Sequence, residues 1–312
     1  MFNNKNIFIA LTYKCNAFCK KCMTRYHINK EIEMTTEILN RIFMLLNSNS
    51  YSGWISVGTG EPLLFTDFEY FVKNILEVNN KIRLRLLTNG MLLEVDSPNI
   101  VFDERIKWGI TMDAFNQTTL LDLQKGVDIE KVKYNISSVS KKYGGSHLYL
   151  NFTVTEDNIE EILPFCKFAI ANNIHDIYLT ELKIFSGYEK DLANHRVIYD
   201  EYLFGKLDEV KNYLNDNDVS TLGINVGKKS IHSHCYLKRT ASPMIDVTGD
   251  VSFCSGREDI IIGNILDDNI QETWHKFVEK VQSKETKWCD YCYDKMNNDG
   301  IYFLPKTIRK EN

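Results

Sequence analysis

The stretch NIFIALTYKCNAFCKKC, residues 6–22, decides how the rest of the chain is interpreted. Its first seven residues, 6–12, are mostly apolar and predict a buried β-strand. Three cysteines, Cys15, Cys19 and Cys22, follow that strand within a single short loop. In a reducing compartment, clustered cysteines more often bind metal or do chemistry than form disulfides. The stretch therefore predicts a thiol-based site at the end of a strand.

Strand-like and helix-like segments alternate over the residues that follow. The predicted strands cover residues 6–12, 54–57, 82–87, 107–112, 148–154 and 176–182, and the predicted helices cover residues 35–46, 68–77, 130–142, 159–171 and 199–214. Repetition of this kind implies parallel strands joined by right-handed crossovers. Six such units predict an α/β fold of the partial (β/α)6, TIM-like type, an open barrel rather than a closed eight-fold one.

The composition narrows the class of protein. The chain has 312 residues, of which 44% are hydrophobic and 25% charged, as in an ordinary globular protein with one large core and a small annex. A net charge of −5 gives no reason to expect a nucleic-acid partner. No apolar run is long enough to cross a membrane, and the first residues do not resemble a signal peptide. We therefore expect a cytoplasmic protein.

Three further turns follow predicted strands. The turns are GTGEP at residues 58–62, TNG at residues 88–90 and TMDA at residues 111–114. Because the carboxyl ends of parallel strands meet at one edge of the sheet, these turns and the cysteine loop should lie together. This shared edge, here called the rim, is where we expect a ligand to bind.

The three thiols of the loop have a specific chemical meaning. Thiolate is the ligand that iron–sulfur clusters prefer, and a four-iron cluster has four corners to fill. Three protein ligands leave one iron open, which is typical of a reactive metal site rather than a structural one. A zinc site, or thiols gathered by chance, is the alternative from spacing alone.

The spacing Cys15-x-x-x-Cys19-x-x-Cys22 resembles that of the radical S-adenosylmethionine (SAM) superfamily. The resemblance implies that these cysteines hold a [4Fe–4S] cluster whose open iron binds SAM and whose electron cleaves it. The product is a 5′-deoxyadenosyl radical, which abstracts hydrogen from a substrate. It also implies an external electron donor of the flavodoxin or ferredoxin type. A non-catalytic zinc or iron–sulfur protein remains the remote alternative.

The same resemblance implies a set of SAM contacts on the rim and the neighbouring strands. These residues are Gly58, Gly60, Glu61, Pro62, Asn89, Thr111, Asp113, Lys125 and Asn151. Glycines allow the backbone to approach the ligand, and Glu61 can accept hydrogen bonds from an ammonium group. The chain departs from relatives in having Lys21 where an aromatic residue is usual. It also has Lys125 where relatives often carry an arginine, which could bind the SAM carboxylate with two hydrogen bonds.

Four more cysteines lie in the last quarter of the chain. Cys235, Cys254, Cys289 and Cys292 could close a tetrahedral zinc site or a second cluster. Residues 243–254 predict a β-hairpin that turns at residues 248–250, and residues 270–281 predict a helix. This region resembles the SPASM and shorter twitch subfamilies, so a second [4Fe–4S] cluster is implied. We expect a barrel domain at residues 1–225 and a twitch annex, made of a β-hairpin plus a helix, at residues 226–312.

Two kinds of substrate fit this resemblance. One group of relatives crosslinks, epimerises or forms thioethers in ribosomally made peptides, and the other oxidises small molecules of the aminocyclitol or sugar type. Few residues precede the first predicted strand, so we expect no leader-binding domain there. We expect a peptide substrate and keep the small molecule as the alternative. The eighth cysteine, Cys166, lies among apolar residues and predicts a buried thiol, with a hydrogen-atom donor as the alternative.

Overall fold

A ten-stranded sheet forms the centre of the protein in the computed structural model. The structure describes residues 6–20, 22, 31–97, 102–182, 184–185, 200–217, 219, 222–225, 242–253, 260–282 and 301–302. The strands are β1 (Asn6–Ile9), β2 (Phe18–Cys19), β3 (Trp54–Val57), β4 (Arg83–Thr88), β5 (Ile106–Thr111), β6 (Gln124–Lys125), β7 (Leu148–Val154), β8 (Ile177–Glu181), β9 (Ile184–Phe185), β10 (Leu222–Asn225), β11 (Met244–Ile245), β12 (Asp250–Ser252), β13 (Ile261–Asn264) and β14 (Ile301–Tyr302). The helices are α1 (Thr36–Ser48), α2 (Phe68–Val78), α3 (Gln117–Leu123), α4 (Ile129–Tyr143), α5 (Ile162–Ala171), α6 (Glu201–Asp216) and α7 (Ile270–Gln282).

The parallel part of the sheet confirms the predicted α/β partial barrel. Its strands lie in the order β10-β8-β7-β5-β4-β3-β1, and every neighbouring pair is parallel. All six predicted strands are present; residues 54–57 and 148–154 match the predicted bounds, and the other four have ends displaced by one to three residues. The structure adds a seventh, β10, which the sequence did not suggest. The sheet order leaves the strands as an open barrel with β10 at one edge.

The predicted hairpin is present, and it extends the same sheet. β11 pairs in parallel with β1, and β12 and β13 continue the sheet with antiparallel pairing. Gly249 has a φ of 85°, which suits it to the tight turn between β11 and β12. Trp274 of α7 is buried in the main hydrophobic core. The division of the chain near residue 226 stays a prediction, and the hairpin packs as part of the barrel sheet.

The helices begin and cover the sheet for identifiable reasons. The Thr35 hydroxyl accepts a hydrogen bond from the Ile38 amide at 3.3 Å, which caps α1. Asp128 caps α4 in the same way, through the amides of Glu130 and Lys131. Their apolar sides pack on the sheet and form one continuous core. None of the described helices is long and apolar enough to cross a membrane.

The two faces of the parallel strands differ in chemistry because side chains alternate along a strand. One face carries fully buried apolar side chains such as Leu84, Leu86 and Leu150, which lie in the helix-covered core. The opposite face carries half-buried or exposed side chains and lies inside the open barrel. We call this second surface the inner face and define it by Trp54, Arg85, Lys107, Tyr149, Asn151 and Tyr178.

Candidate active site at the rim

The cysteine loop is held against the segment that follows α3. Phe18 and Cys19 form β2, which pairs antiparallel with Gln124 and Lys125 of β6. The Lys20 amide adds a 3.0 Å hydrogen bond to a carbonyl just before β6. The loop is therefore fixed by backbone pairing to a part of the chain about a hundred positions away, at the rim as predicted.

Gln124 connects the loop to the end of β5. Its side-chain oxygen Oε1 accepts a 2.9 Å hydrogen bond from the Asp113 amide. A backbone amide can only donate, so this bond fixes the orientation of the Gln124 amide group. Its nitrogen Nε2 then points to the Cys19 sulfur at 3.8 Å. Gln124 is almost fully buried, so this donor is aimed at the thiol in a place with little competing water.

Asn89 of the TNG turn makes the equivalent contact with the first cysteine of the loop. Its Oδ1 accepts from the Met91 amide at 3.0 Å, which fixes the amide group in the same way. Its Nδ2 lies 4.0 Å from the Cys15 sulfur and 2.7 Å from the Asn16 side-chain oxygen. Two buried amides from two strand ends thus present N–H donors to two of the three thiols.

The GTGEP turn packs directly on the backbone of the cysteine loop. Gly60 has a φ of 108°, and a Cβ placed on it would lie 2.3 Å from the Thr12 carbonyl oxygen. The Glu61 amide donates a 2.8 Å hydrogen bond to the Lys14 carbonyl. Only glycine fits at position 60, because any side chain would collide with backbone that cannot move aside. Pro62 is buried and begins a short 3₁₀ turn.

The carboxylate of Glu61 ties two of the predicted turns together. It is buried and accepts hydrogen bonds from the Thr88 hydroxyl at 2.8 Å, the Asn89 amide at 2.9 Å and the Leu63 amide at 3.3 Å. Burial raises the pKa of Glu61 to about 7, against the effect of these bonds. The sequence suggested an acceptor for an ammonium group. Three donors of the protein already occupy this carboxylate, and a contact of Glu61 with SAM stays a prediction.

The predicted residues on β5 and β7 lie side by side. Thr111 and Asn151 are in register on neighbouring strands, and both are half-buried. Asn151 also accepts a hydrogen bond from the Thr180 hydroxyl at 3.4 Å. Asp113 is buried, and its Oδ1 accepts a hydrogen bond from the Thr153 amide at 3.3 Å. Thr111 and Asn151 therefore present polar groups next to the rim, whereas Asp113 braces β7.

The remaining predicted residues are placed differently. Lys125 is exposed and lies opposite Phe18, so its charge is available to solvent. Gly58 is buried where β3 ends. Cys166 is fully buried in α5, which confirms the predicted core thiol, and burial raises its pKa to about 12. Lys21 and the four late cysteines, Cys235, Cys254, Cys289 and Cys292, lie outside the described residues.

The donor set of the loop fits an iron–sulfur cluster by its chemistry. Among the described residues, no three acidic, histidine or cysteine side chains are grouped closely enough to form a ready-made metal site. Desolvation raises the pKa of the Cys15 thiol to about 11, although the residue as a whole is exposed. Coordination to a metal would reverse that shift, because it removes the thiol proton. Cys15, Cys19 and Cys22 would hold the cluster, which supplies the electron that cleaves SAM.

Some residues of the site were not predicted. Gln124 was not predicted, because its contact with Cys19 depends on the pairing of two distant segments. Arg85 and Tyr149 of the inner face lie within predicted strands but were not predicted as site residues. The alternation of residues 82–87, in which arginines separate leucines, does assign Arg85 to the face opposite the core.

Comparison with known families identifies the class. The profile of the radical SAM superfamily matches residues 9–169, more than half of the chain. The chain therefore belongs to the radical SAM superfamily, and it is an enzyme of that class. The SPASM iron–sulfur cluster-binding domain matches residues 235–294, a range that contains all four late cysteines. Together the two matches imply bound iron–sulfur and bound SAM.

Individual relatives are distant in sequence. A GTP 3′,8-cyclase of Aliarcobacter butzleri is 26% identical over 165 residues, which cover 51% of this chain and 50% of the cyclase. The chain thus matches about half the length of that relative. SuiB of Streptococcus suis, bound to S-adenosylmethionine, has a TM-score of 0.69 and 16% identity over 90% of this chain and 68% of SuiB. The enzyme anSMEcpe with bound AdoMet has a TM-score of 0.61 and 17% identity over 92% and 88% of the two chains. SuiB has also been solved with precursor peptide SuiA, and anSMEcpe with a Cp18Cys peptide.

Proposed function

We propose that this radical SAM enzyme abstracts a hydrogen atom from a ribosomally made peptide and thereby crosslinks it, forms a thioether or epimerises a residue. The observation that carries the proposal is the fold shared with SuiB over 90% of the chain, because SuiB has been solved with a precursor peptide. The likeness to anSMEcpe with a bound peptide supports the same substrate class.

The residues of the rim have defined tasks in this proposal. Cys15, Cys19 and Cys22 hold the SAM-binding cluster, and Asn89 and Gln124 donate hydrogen bonds to two of their sulfurs. The turns around Gly60 and Asn89, with Thr111, Asp113, Lys125 and Asn151, bind SAM. Glu61 keeps the GTGEP and TNG turns at a fixed separation. A rigid rim orients SAM so that the radical forms at one position relative to the substrate.

We further propose a second [4Fe–4S] cluster at Cys235, Cys254, Cys289 and Cys292. Four thiolates fill every corner of such a cluster, so it would pass electrons rather than bind substrate directly. The SPASM match over these cysteines supports this assignment. An external flavodoxin or ferredoxin would supply the first electron, and the reducing cytoplasm is the compartment that suits so many free thiols.

A small-molecule substrate is the second candidate. The relatives named GTP 3′,8-cyclase match 51% of this chain, and their name indicates a nucleotide substrate. Because this match covers only about half of the chain, it is a weaker guide to the complete site than the fold shared with SuiB over 90% of it. The aminocyclitol or sugar substrates of some radical SAM dehydrogenases belong to the same alternative.

The test begins with anaerobic reconstitution of the full chain. We expect about eight irons per chain, since each cubane cluster holds four. With dithionite and SAM, the enzyme should release 5′-deoxyadenosine, and the Cys15→Ala, Cys19→Ala, Cys22→Ala triple variant should not, while it keeps about half of the iron. About one zinc per chain and no cleavage would contradict the assignment.

The substrate class is tested by mass spectrometry. Peptide pools incubated with enzyme, SAM and dithionite in D₂O should lose two hydrogens if the product is a crosslink or thioether, or gain one deuterium if it is epimerised. The triple-cysteine variant is the control, since it receives the same peptide and reductant. Turnover of nucleotide or aminocyclitol pools, with none of the peptides, would favour the second candidate.

A further inference from the structure

The inner face carries cationic charge that the described residues balance only in part. Arg85 of β4 and Lys107 of β5 are in register on neighbouring strands. Lys107 forms an ion pair with Asp176. Arg85 has no ion-pair partner among the described residues, and its contact is with an aromatic ring. Among the described residues, the charge of Lys107 is therefore compensated and that of Arg85 is not. The exposed Arg83, which lies 5.6 Å from the same Trp54 ring, has no ion-pair partner among these residues either.

Arg85 is held in place without being neutralised. Its guanidinium lies 4.3 Å from the centre of the Trp54 ring, a distance at which the ring attracts the cation. Arg85 is half-buried, and arginine is seldom removed from water without an anionic partner. The stacking orients the planar donor fork while leaving its hydrogen-bond donors available, and this fork suits a carboxylate or phosphate.

Tyr149 lies close to the same cation. Its ring covers Gly109, where an added Cβ would lie 2.3 Å from the tyrosine hydroxyl. Burial raises the pKa of Tyr149 to about 12, and the charge of Arg85 acts against that rise. The hydroxyl keeps its proton at neutral pH and can donate it to an anion. Gly109 thus allows a second donor to lie flat on the inner face beside Arg85.

The distance between Arg85 and the rim is short enough for one extended peptide to reach both. Arg85 precedes Thr88 by three residues, and strands rise by about 3.3 Å per residue, so Arg85 lies roughly 10 Å below the TNG turn. Tyr149 precedes Asn151 by two residues, which is roughly 7 Å. A group bound at Arg85 therefore lies about three residues' length of extended peptide from the rim.

We propose that Arg85, oriented by Trp54 and assisted by the Tyr149 hydroxyl, binds the carboxylate of an acidic residue in the peptide substrate. The proposal rests on the proposed peptide function. It adds a specificity: the substrate carries Asp or Glu about three positions from the residue that loses hydrogen. Phosphate would use the same donors, so the experiment includes a phosphate probe.

The test compares two fluorescent decapeptide pools that differ only at one central position, fixed as Glu in one pool and as Gln in the other. Binding to the reconstituted, SAM-loaded enzyme is measured by fluorescence anisotropy. We expect the Glu pool to bind about tenfold more tightly, as for a charge-assisted hydrogen bond. Arg85→Gln should abolish this preference, and Arg85→Lys should restore part of it. Arg83→Gln, on the same strand and 5.6 Å from the same Trp54 ring, is the matched control and should keep it.

Each other outcome overturns the proposal. Equal binding of both pools, or an equal loss of preference in Arg83→Gln and Arg85→Gln, would mean that no specific carboxylate site exists. That result leaves the peptide function intact if mass spectrometry still shows modified peptide. Competition by inorganic pyrophosphate that depends on Arg85, with no peptide modified, would instead contradict both the carboxylate site and the peptide class. Iron content and circular dichroism show whether Arg85→Gln has folded, and Arg85→Lys supplies a second variant.

Discussion

The rim and the inner face lie on the same strands, but the polar side chains of the two regions differ in how they are hydrogen-bonded. At the rim, Glu61, Asn89 and Gln124 are buried and bonded to one another's backbone or to the cysteine loop. On the inner face, Arg85 and Tyr149 have an aromatic ring and a glycine as neighbours. A network in which every member restrains the next suits a ligand that is the same in every turnover. Lys107 of the inner face is paired with Asp176, but the donors of Arg85 and Tyr149 have no acceptor among the described residues, and such donors suit a substrate.

The largest expected effect comes from Gly60→Ala at the rim. The new Cβ would meet the Thr12 carbonyl oxygen, and the positive φ is strained for alanine. We expect a loss of about 3 kcal/mol or more, which lowers the thermal midpoint by several degrees and reduces the iron bound. The control is Gly205→Ala in α6, where nothing lies within 4 Å and where alanine should stabilise the helix by about 0.5–1 kcal/mol. An unchanged midpoint in Gly60→Ala would show that the rim is not rigid.

Sequence and structure agree best where local patterns decide the outcome. The strand at residues 148–154 and the helix predicted at residues 35–46 are decided by patterns within short segments, and the structure contains both. The convergence of the cysteine loop with the GTGEP and TNG turns follows from parallel topology, which strand–helix alternation implies. These features need no knowledge of distant contacts.

The features that were missed depend on contacts between distant residues. β11 pairs with β1 across more than two hundred positions, so its place in the barrel sheet was not predictable from the hairpin pattern. The same holds for Gln124, whose donor reaches Cys19 only because β2 and β6 pair. The hydrogen bonds from Thr88 and Asn89 to Glu61 also join separate segments, so they could not be predicted from one of them, and the contact of Glu61 with SAM stays a prediction.

A second way to test the rim uses the pH dependence of stability. Burial raises the pKa of Glu61 from 4.5 to about 7, so the folded protein binds more protons than the unfolded chain between those values. Stability from this group is present at low pH and is lost as pH rises through about 7. We expect the thermal midpoint of the wild type to fall more between pH 5.5 and 8.0 than that of Glu61→Gln. Thr88→Val removes the hydrogen bond from the Thr88 hydroxyl to Glu61 but keeps the Glu61 carboxyl, so its thermal midpoint should depend on pH as that of the wild type does. If the thermal midpoints of all three proteins change with pH in parallel, this account is contradicted.

A smaller effect is expected from the donor to Cys19. Gln124→Met keeps the side-chain volume but removes the N–H directed at the sulfur, together with the oxygen that accepts from the Asp113 amide. Hydrogen bonds to the sulfurs stabilise the reduced cluster, so the variant should have a more negative reduction potential. We expect up to a tenfold change in the reduction equilibrium, equal to about 59 mV for one electron. Titration followed by electron paramagnetic resonance measures this, using the signal that responds to SAM. Gln117→Met, which removes a nearby amide bonded to the Val127 carbonyl, should leave the potential unchanged.

The smallest effect on stability is expected from Gly109→Ala on the inner face. This variant tests whether the inner face is less rigid than the rim. The added Cβ would meet the Tyr149 ring at 2.1 Å, a closer approach than at Gly60. Here the obstacle is the tip of a half-buried side chain, which can rotate away, whereas the obstacle at Gly60 is backbone. We expect a cost of about 1 kcal/mol or less, together with a weaker preference for the Glu pool, because the hydroxyl leaves Arg85. In the double variant Gly109→Ala, Tyr149→Ala, the loss of stability should be smaller than the sum of the two single losses, because the new Cβ no longer meets the Tyr149 ring. A loss in Gly109→Ala as large as that in Gly60→Ala would mean that the inner face is as rigid as the rim, and that its unused donors are not held ready for a variable substrate.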